Sequence, residues 1–499
     1  MLAGLRTLRP VDLRTWQVTT VAAVTGLALA TGSLALTGPW DASGQRTAER
    51  DRAAALRTEG GAHHEAPGGG AGARAPKTPP RAPAVLDALG GAGTAGARTP
   101  LPGAAALGKR LGPLLDGAPP GTRTGAAVVD AATGELLWGK DPGKALTPAS
   151  TTKVATAVAA LTAPGPDHRI TTRTVLEPAA GKEPARVVLV GGGDPTLTAR
   201  EDARGNASLR DLAQATARAL ADGGTREVRL AYDTSLYSGP PVHPIGRNDN
   251  IASVTPLMVD EGRLDDSSSG PAPRSEDPAK DAAARFAALL ADRGLAVKGA
   301  AAPAKAAAGA RELAEVASPP VSALVERMLT HSDNDLAEAL VRQVALASGQ
   351  PASFRGGEAA MQRRLGGLGV PLGGVRFADG SGLDRADRLA PGTLTALLAA
   401  ASRPEGAALR PALTGLPVAG FTGTLRNRYS SGSDAAGTGL VRAKTGTLTG
   451  VHALAGTVVD RDGRLLAFTF LSDGPATDPA AAQSRLDRMA AALTACGCA

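Results

Sequence analysis

Segments typical of β-strands lie at both ends of the folded part of this chain, and this placement constrains the fold more than any other feature. The strand-like runs are residues 125–129, 135–140, 440–447, 451–459 and 465–472. A turn at 130–134 joins the first two as a hairpin, and a helical stretch follows the last. We expect runs from both ends to pair in one antiparallel sheet, which gives a mixed α/β (α+β) domain whose sheet is flanked by helices.

The middle of the chain has a different pattern, in which strand-like and helical runs alternate. The runs are 186–190 (strand), 209–221 (helix), 227–231 (strand) and 279–292 (helix). This alternation predicts an inserted α/β domain over residues 169–318. The domain that contains the antiparallel sheet is then divided into residues 113–168 and residues 319–495.

The N-terminal region has the pattern of an exported protein. Residues 15–40 carry no charged side chain, and three arginines precede them. About 20 apolar residues cross a bilayer core, and preceding cations favour a cytoplasmic N-terminus. We therefore expect a cytoplasmic end over residues 1–15 and a transmembrane anchor over residues 16–38, which also makes the membrane a partner. A cleaved signal peptide is the alternative.

Residues 39–112, rich in Ala, Gly, Pro and Arg, are expected to form a disordered tether. The chain has a formal net charge of +7. Residues 1–110 contain 13 of the 54 Lys and Arg residues but only 7 of the 47 Asp and Glu residues, so the basic excess lies mainly in this tail. We find neither a basic face nor a reading motif, and nucleic acid is not an expected partner.

Three short motifs carry the chemistry, and each pattern occurs once in the chain. They are Ser150-x-x-Lys153 at a helix start, Ser332-x-Asn334 in a helical region and Lys444-Thr445-Gly446-Thr447 on a strand. Residues i and i+3 share one helix face about 5–6 Å apart, so the Lys153 amine reaches the Ser150 hydroxyl. Serine is a weak nucleophile until a base takes its proton. Lysine becomes that base when burial or a second cation lowers its pKa, and Lys444 is the candidate cation.

The second and third motifs supply further groups of a candidate catalytic site. Ser332 is expected to pass a proton between Lys153 and the leaving amine. Asn334 is expected to hold the Lys153 ammonium or the substrate amide. Lys444, together with the Thr445 hydroxyl, offers a cationic site for a terminal carboxylate.

The backbone of the third motif is expected to bind the substrate. The N–H groups of Ser150 and Thr447 form the expected oxyanion hole, in which one donor commonly contributes roughly 2.7–4 kcal/mol. We expect that position 446 requires a glycine because a side chain there would block a substrate lying along the strand edge. A peptide added to this edge supplies its own backbone bonds, and the carboxylate site suits a chain-terminal D-amino acid.

Together the three motifs resemble the penicillin-recognising serine enzymes, and further segments narrow the resemblance to the class C low-molecular-mass penicillin-binding proteins. These segments are GGGDPTL at 191–197, SDNDLAE at 332–338 and DGSGL at 379–383. The resemblance covers roughly residues 115–495. It implies a transpeptidase/β-lactamase-like fold with one inserted domain between the first two motifs. Taken alone, the 379–383 segment favours a glycine-rich turn over a catalytic role, and Ser381 at most shapes the site.

This resemblance implies a serine D,D-peptidase that cleaves D-alanyl-D-alanine bonds of peptidoglycan stem peptides, as a carboxypeptidase with or without endopeptidase activity. It implies acylation by β-lactam antibiotics, and it implies no metal and no organic cofactor. The expected location is the extracytoplasmic face of the cell membrane or the cell wall. Two alternatives stay open, namely a serine β-lactamase and a penicillin-binding sensor or scaffold without catalysis.

Overall fold

Two β-sheets with helices around them make up the part of the chain that the computed structural model describes, which is residues 101–179, 181, 183–430, 432–475 and 478–496. The helices are α1 (Ala104–Asp116), α2 (Thr152–Thr162), α3 (Leu209–Asp222), α4 (Pro278–Ala291), α5 (Val321–His331), α6 (Asn334–Ala347), α7 (Phe354–Gly366), α8 (Pro391–Ser402), α9 (Pro411–Thr414) and α10 (Pro479–Thr494). The strands are β1 (Arg123–Asp130), β2 (Leu136–Lys140), β3 (Thr171–Glu177), β4 (Arg186–Val190), β5 (Glu227–Asp233), β6 (Ala296–Val297), β7 (Ala302–Pro303), β8 (Arg311–Ala317), β9 (Val441–Leu448), β10 (Val451–Val459) and β11 (Leu465–Asp473).

The first sheet joins strands from the two ends of the described chain, in the order β2-β1-β11-β10-β9. All of its neighbouring strands are antiparallel, with Arg123 opposite Asp473 between β1 and β11 and Leu448 opposite Val451 between β9 and β10. The expected antiparallel sheet flanked by helices is therefore confirmed. Strand β9, which carries the third motif, lies at one edge of this sheet.

Helices cover both faces of this sheet, as a sheet with two apolar faces requires. Helix α2 is buried from Thr152 to Leu161 and lies in a core shared with α5, α6 and α8. Its many alanines let neighbouring backbones approach closely. On the opposite face, α1 and α10 pack in a second core with Phe468 and Phe470, whose stacked rings lie 5.1 Å apart. The first residues of α2 are thus fixed by packing on every side.

The second sheet is mixed and has the order β6-β5-β4-β3-β8, with β7 paired to β5. Strand β3 is antiparallel to β4 and β8, whereas β4 and β5 are parallel and are connected through α3. All of these strands lie within the segment 169–318, where we expect an inserted α/β domain. The division of the chain into separate domains stays a prediction.

Helix α1 corrects one expectation, because it begins at Ala104 inside the segment assigned to a disordered tether that ends at residue 112. Leu107, Leu111 and Leu115 are spaced by four residues and are buried in the core beside the first sheet. This single apolar stripe offsets the entropy of ordering a stretch that is otherwise rich in alanine and glycine.

The described residues contain no helix that is both long enough and apolar enough to cross a bilayer. The expected cytoplasmic end at 1–15, the anchor at 16–38 and most of the tether at 39–112 lie outside the described residues. They stay predictions from the sequence.

Candidate active site

Ser150 and Lys153 lie at the start of α2 with their reactive atoms in contact. Ser150 belongs to the 3₁₀ turn Ala149–Thr151, which leads directly into the helix. The Nζ of Lys153 lies 3.1 Å from the Oγ of Ser150, as the i, i+3 spacing predicts. It also donates to Oδ1 of Asn334 and to the backbone oxygen of Ser381, both at 2.6 Å. These contacts hold the amine against the candidate nucleophile.

Burial controls the protonation of Lys153. The side chain is fully enclosed, and burial disfavours the ammonium form and lowers the pKa of Lys153 to about 8. The carboxylates of Asp379 and Asp333 act in the opposite direction. The sequence predicts Lys444 as a second cause, but the repulsion between the two amines lowers the pKa of Lys444 instead. Its burial and the charge of Lys153 hold the pKa of Lys444 well below the usual range.

The second motif lies between two helices rather than inside one. Ser332 follows α5 with a φ of +58°, a left-handed conformation that ends that helix. Asp333 then caps α6, because its Oδ1 accepts from the N–H of Leu336 at 3.0 Å. The hydroxyl of Ser332 accepts from Nζ of Lys444 at 2.9 Å. The amine that donates a hydrogen bond to Ser332 is thus that of Lys444, whereas the sequence predicts that Ser332 exchanges a proton with Lys153.

Asn334, the first residue of α6, is held at both ends of its amide. Its Oδ1 accepts from Lys153, and its Nδ2 donates to the backbone oxygen of Asn250 at 2.9 Å. Because the oxygen only accepts and the nitrogen only donates, these two partners determine how the amide is oriented. Asn250 lies between β5 and α4, so the segment 169–318 contributes one wall of the site.

The third motif places a buried amine behind an accessible hydroxyl. Lys444 is fully buried, and its Nζ donates to the backbone oxygen of Thr445 at 2.8 Å as well as to Ser332. The Thr445 hydroxyl donates to that of Thr424 at 2.9 Å, in an exposed position. The third motif therefore offers an exposed hydroxyl on Thr445 and, one residue before it, the enclosed amine of Lys444.

Gly446 is a glycine for a different reason from the one expected. A Cβ at this position would lie 2.7 Å from the backbone oxygen of Pro148 and 3.2 Å from the Cβ of Ala149. These atoms belong to the turn that carries Ser150, not to the space for a substrate. The missing side chain therefore lets β9 pack directly against the nucleophile's turn.

The open part of the β9 edge lies at Thr447. The N–H of Ala443 donates to the backbone oxygen of Pro417, which covers the beginning of this edge. Because backbone polar groups alternate between the two edges of a strand, the N–H of Thr447 faces the same side. Thr447 is exposed there and lines a cavity of about 230 Å³ together with Ser150, Ser332 and other residues. Its N–H is thus available to a ligand beside Ser150.

The segment 379–383 belongs to the site, although the sequence favoured a plain turn. The backbone oxygen of Ser381 accepts from the Lys153 amine. Gly382 has a φ of +80°, and a Cβ there would lie 2.0 Å from the backbone oxygen of Ala149. Only glycine allows the loop to lie so close to the nucleophile's turn. The signal that identifies this role is the pair of glycines around Ser381.

Two buried clusters of acidic side chains lie beneath the site. The first contains His243, Glu338 and Asp379 next to Arg342, and the second contains Glu261, Asp333 and Asp335 next to Arg263, Arg274 and Arg327. Within each cluster the possible ligand atoms lie within 4.8 Å of one another, close enough for a metal ion. However, Arg342 lies 3.8 Å from Glu338 and Arg274 lies 2.9 Å from Asp335. Arginine therefore supplies the positive charge in both clusters.

Comparisons with known proteins identify a family whose model matches most of this chain. The model of a family described as the D-Ala-D-Ala carboxypeptidase 3 (S13) family matches residues 112–273 and 267–496. The chain is 37% identical over 440 residues to a carboxypeptidase of Mycobacterium tuberculosis, which covers 86% of this chain and 91% of that protein. It is 38% identical over 386 residues to the carboxypeptidase DacB of Mycolicibacterium smegmatis, covering 74% and 80% of the two chains.

Among solved structures, the fold is similar to that of penicillin-binding protein 4 of Haemophilus influenzae. The TM-score is 0.64 at 22% identity, over 77% of this chain and 98% of that one. A structure of the same protein in complex with a β-lactam matches with a TM-score of 0.59 at 23% identity, with the same coverage. At these identities the likeness concerns the fold.

Proposed function

Because the chain belongs to the D-Ala-D-Ala carboxypeptidase 3 (S13) family, we propose that it is a serine D,D-peptidase that cleaves the D-alanyl-D-alanine bond of peptidoglycan stem peptides. One observation carries the proposal. A fully buried lysine amine with a pKa of about 8 lies 3.1 Å from the Ser150 hydroxyl, in a cleft whose other wall is the Lys444 strand. This is the arrangement of a nucleophile and its general base.

Acylation begins when the neutral amine of Lys153 takes the proton of Ser150. The Ser150 Oγ attacks the carbonyl carbon of the penultimate D-alanine, and the resulting oxyanion accepts from the N–H groups of Ser150 and Thr447. The C–N bond then breaks. The proton that Lys153 took from Ser150 passes through the Ser332 hydroxyl, which Lys444 holds by a hydrogen bond, to the leaving nitrogen of D-alanine, and Lys153 is neutral again.

Deacylation reverses this proton path, with water in place of the leaving amine. Lys153, again neutral, accepts a proton from the water, whose oxygen attacks the ester carbon on Ser150. The C–O bond to Ser150 breaks, and Ser150 recovers a proton. A β-lactam is attacked in the same way, but its leaving amine stays attached after the ring opens, so we propose that β-lactams form a lasting adduct on Ser150.

The substrate's terminal carboxylate is the group that we assign to Lys444 and Thr445. The Thr445 hydroxyl is exposed, and the Lys444 amine lies next to it, where it donates to the Thr445 backbone oxygen. An extended peptide fits the open β9 edge beside Thr447. A cross-link joins the carbonyl of a D-alanine to an amine of a neighbouring stem peptide, and this is also a D-alanyl amide bond. We therefore include endopeptidase cleavage of cross-links in the proposal.

We also propose that the enzyme works at the extracytoplasmic face of the cell membrane or in the cell wall. The support is the uncharged segment 15–40, which has the length of an anchor, and the polar tether that follows it. A tether of this kind gives a catalytic domain reach into a porous polymer layer.

Mass spectrometry after penicillin treatment tests the proposal. We expect one penicilloyl adduct on the Ser150 peptide, none in Ser150→Ala, and D-alanine release from a pentapeptide by the wild type only. An adduct on another residue would contradict the assignment. Rapid nitrocefin turnover would favour the serine β-lactamase, and a stable adduct without D-alanine release would favour the sensor or scaffold.

A further inference from the structure

His243 connects the inserted segment to the site through Asp379. It lies between β5 and α4, is buried, and places its Nε2 3.1 Å from Oδ2 of Asp379. Its ring packs edge-on against Phe354, with ring centroids 5.3 Å apart. The histidine is therefore held in position by a ring contact on one side and by a carboxylate on the other.

The hydrogen bonds of the ring determine which nitrogen carries the proton. The N–H of Ile245 points at Nδ1 of His243 at 3.3 Å, so Nδ1 is an acceptor in the neutral ring. The proton of the neutral ring is then on Nε2, which donates to Asp379. If the ring becomes charged, Nε2 keeps its proton. The donation to Asp379 therefore persists in both protonation states.

Charged groups surround this histidine on several elements. Glu338 of α6 lies 3.9 Å from Nε2, Asp384 lies in the loop after Asp379, and the Arg342 guanidinium lies 3.8 Å from Glu338. Burial disfavours the charged ring, but the bond to Asp379 and the charge of Glu338 outweigh this effect and raise the pKa of His243.

Asp379 in turn determines the shape of the loop that touches Lys153. Its Oδ1 accepts from the N–H of Gly382 at 2.6 Å, and its Oδ2 accepts from the hydroxyl of Ser381 at 3.1 Å. The same oxygen accepts from the N–H of Asp384 at 2.7 Å. The backbone oxygen of Ser381 is the one that accepts from the Lys153 amine.

We infer that His243 is a positioning residue for the general base: it holds Asp379, which holds the Ser381 carbonyl against the Lys153 amine. The inference rests on the proposed acyl-transfer function. It gives the inserted segment a role in the chemistry as well as in forming a wall of the cleft. Since a displacement of about 1 Å near reacting atoms costs about 100-fold in rate, the Lys153 amine, three contacts away from His243, is within its influence.

Two substitutions of similar size separate hydrogen bonding from packing. His243→Gln keeps an N–H donor for Asp379 and an oxygen acceptor for Ile245, whereas His243→Leu fills the space without a donor. We expect the acylation rate by a fluorescent penicillin to fall about 10- to 100-fold in His243→Leu and to recover most of the wild-type value in His243→Gln. His168→Leu, which changes an exposed histidine, is the matched control and should behave as wild type.

The pH profile of acylation separates the two effects further, because a loss of packing alone would not shift it. Without the donor, the Asp379 charge acts more strongly on Lys153, so the rising limb of the profile should move to higher pH in His243→Leu. In the wild type, nitrogen NMR at pH 9 should find the neutral ring protonated on Nε2, a result that needs no variant to fold.

Several outcomes would overturn the inference. One is a His243→Leu enzyme with the wild-type rate and profile. Another is a His243→Gln enzyme that is folded but as slow as His243→Leu. A third is a wild-type ring protonated on Nδ1. If the wild type itself is not acylated, the proposed function fails, and the NMR result still decides whether His243 donates to Asp379.

Discussion

The Nζ of Lys153 and the Oδ1 of Asn334 lie 2.6 Å apart, although the two residues are 181 positions apart in the chain. The contact joins the start of α2 to the start of α6, two buried helices of one core. Asn250 holds the other end of the Asn334 amide. Three distant segments therefore meet at the amine that acts as the proposed general base.

The pKa of Lys153 predicts how acylation depends on pH. The active form is the neutral amine, and burial lowers the pKa of Lys153 to about 8. Below that value the neutral fraction falls about tenfold per pH unit, so the acylation rate should rise from pH 6 to pH 8 and level off above it. Stopped-flow acylation by a fluorescent penicillin measures this. Lys140→Met, at a partly exposed lysine, should leave the profile unchanged, and equal rates at pH 6 and pH 9 would exclude Lys153 as the base.

A methyl group at Gly446 should destabilise the fold even when no substrate is bound. Because a Cβ would meet the backbone of Pro148 at 2.7 Å, Gly446→Ala should lower the free energy of unfolding by about 1–3 kcal/mol and slow acylation at least tenfold. Thermal melting of the ligand-free protein and acylation kinetics measure the two effects.

Gly143→Ala is the control for that variant, because nothing lies within 4 Å of the added Cβ. If Gly446→Ala kept its melting temperature and showed only weaker peptide binding, the explanation that a side chain blocks the substrate would be correct after all.

Lys444 should matter most for substrates that end in a carboxylate. In Lys444→Met, KM for a D-alanine-terminated peptide should increase about 10- to 100-fold relative to the same peptide with a terminal amide. Thr445→Val should raise this KM ratio by a smaller factor, since it removes only a neutral hydroxyl. Steady-state kinetics with the two peptides measure the ratio. An equal loss for acid and amide would show that Lys444 serves proton transfer rather than carboxylate binding.

The ion pair of Arg428 and Asp487 should stabilise the segment that precedes β9. Nε of Arg428 lies 2.9 Å from Oδ2 of Asp487, and the two side chains are only 12% and 4% exposed. Asp487→Ala leaves a buried arginine without its partner and should cost about 3–5 kcal/mol, whereas the apolar pair Arg428→Met with Asp487→Leu should recover most of that loss. Urea unfolding measures both values.

An exposed pair gives the matched comparison for this prediction. Glu227 and Lys298 lie 3.2 Å apart, with side chains 47% and 57% exposed. Glu227→Ala should cost less than about 1 kcal/mol. A similar cost for Asp487→Ala would mean that the buried pair adds nothing beyond a surface contact.

Local geometry explains which parts of the site were predictable. The i, i+3 spacing on a helix brings Lys153 to Ser150 wherever the helix lies, and strand periodicity gives β9, β10 and β11. The strand-like runs at both ends likewise predicted the antiparallel sheet, because they lie outside the middle segment in which strand-like and helical runs alternate.

Other features depend on neighbours that no local pattern identifies. The partner of the Ser332 hydroxyl, the reason for Gly446 and the contact of Ser381 with Lys153 each involve atoms from a distant segment. His243 belongs to no motif and reaches the site only through the packing of its loop. The apolar stripe of α1 was hidden for the same reason, since three leucines have little meaning without the core that covers them.

The sequence by itself therefore determined the family, the sheet and the three motifs, because these follow from short spacings along the chain. The tertiary structure decided the pKa of Lys153, the pairing of Ser332 with Lys444 and the support behind the Ser381 carbonyl. Burial and hydrogen bonding depend on which distant residues enclose a group, and only the folded chain brings those residues together.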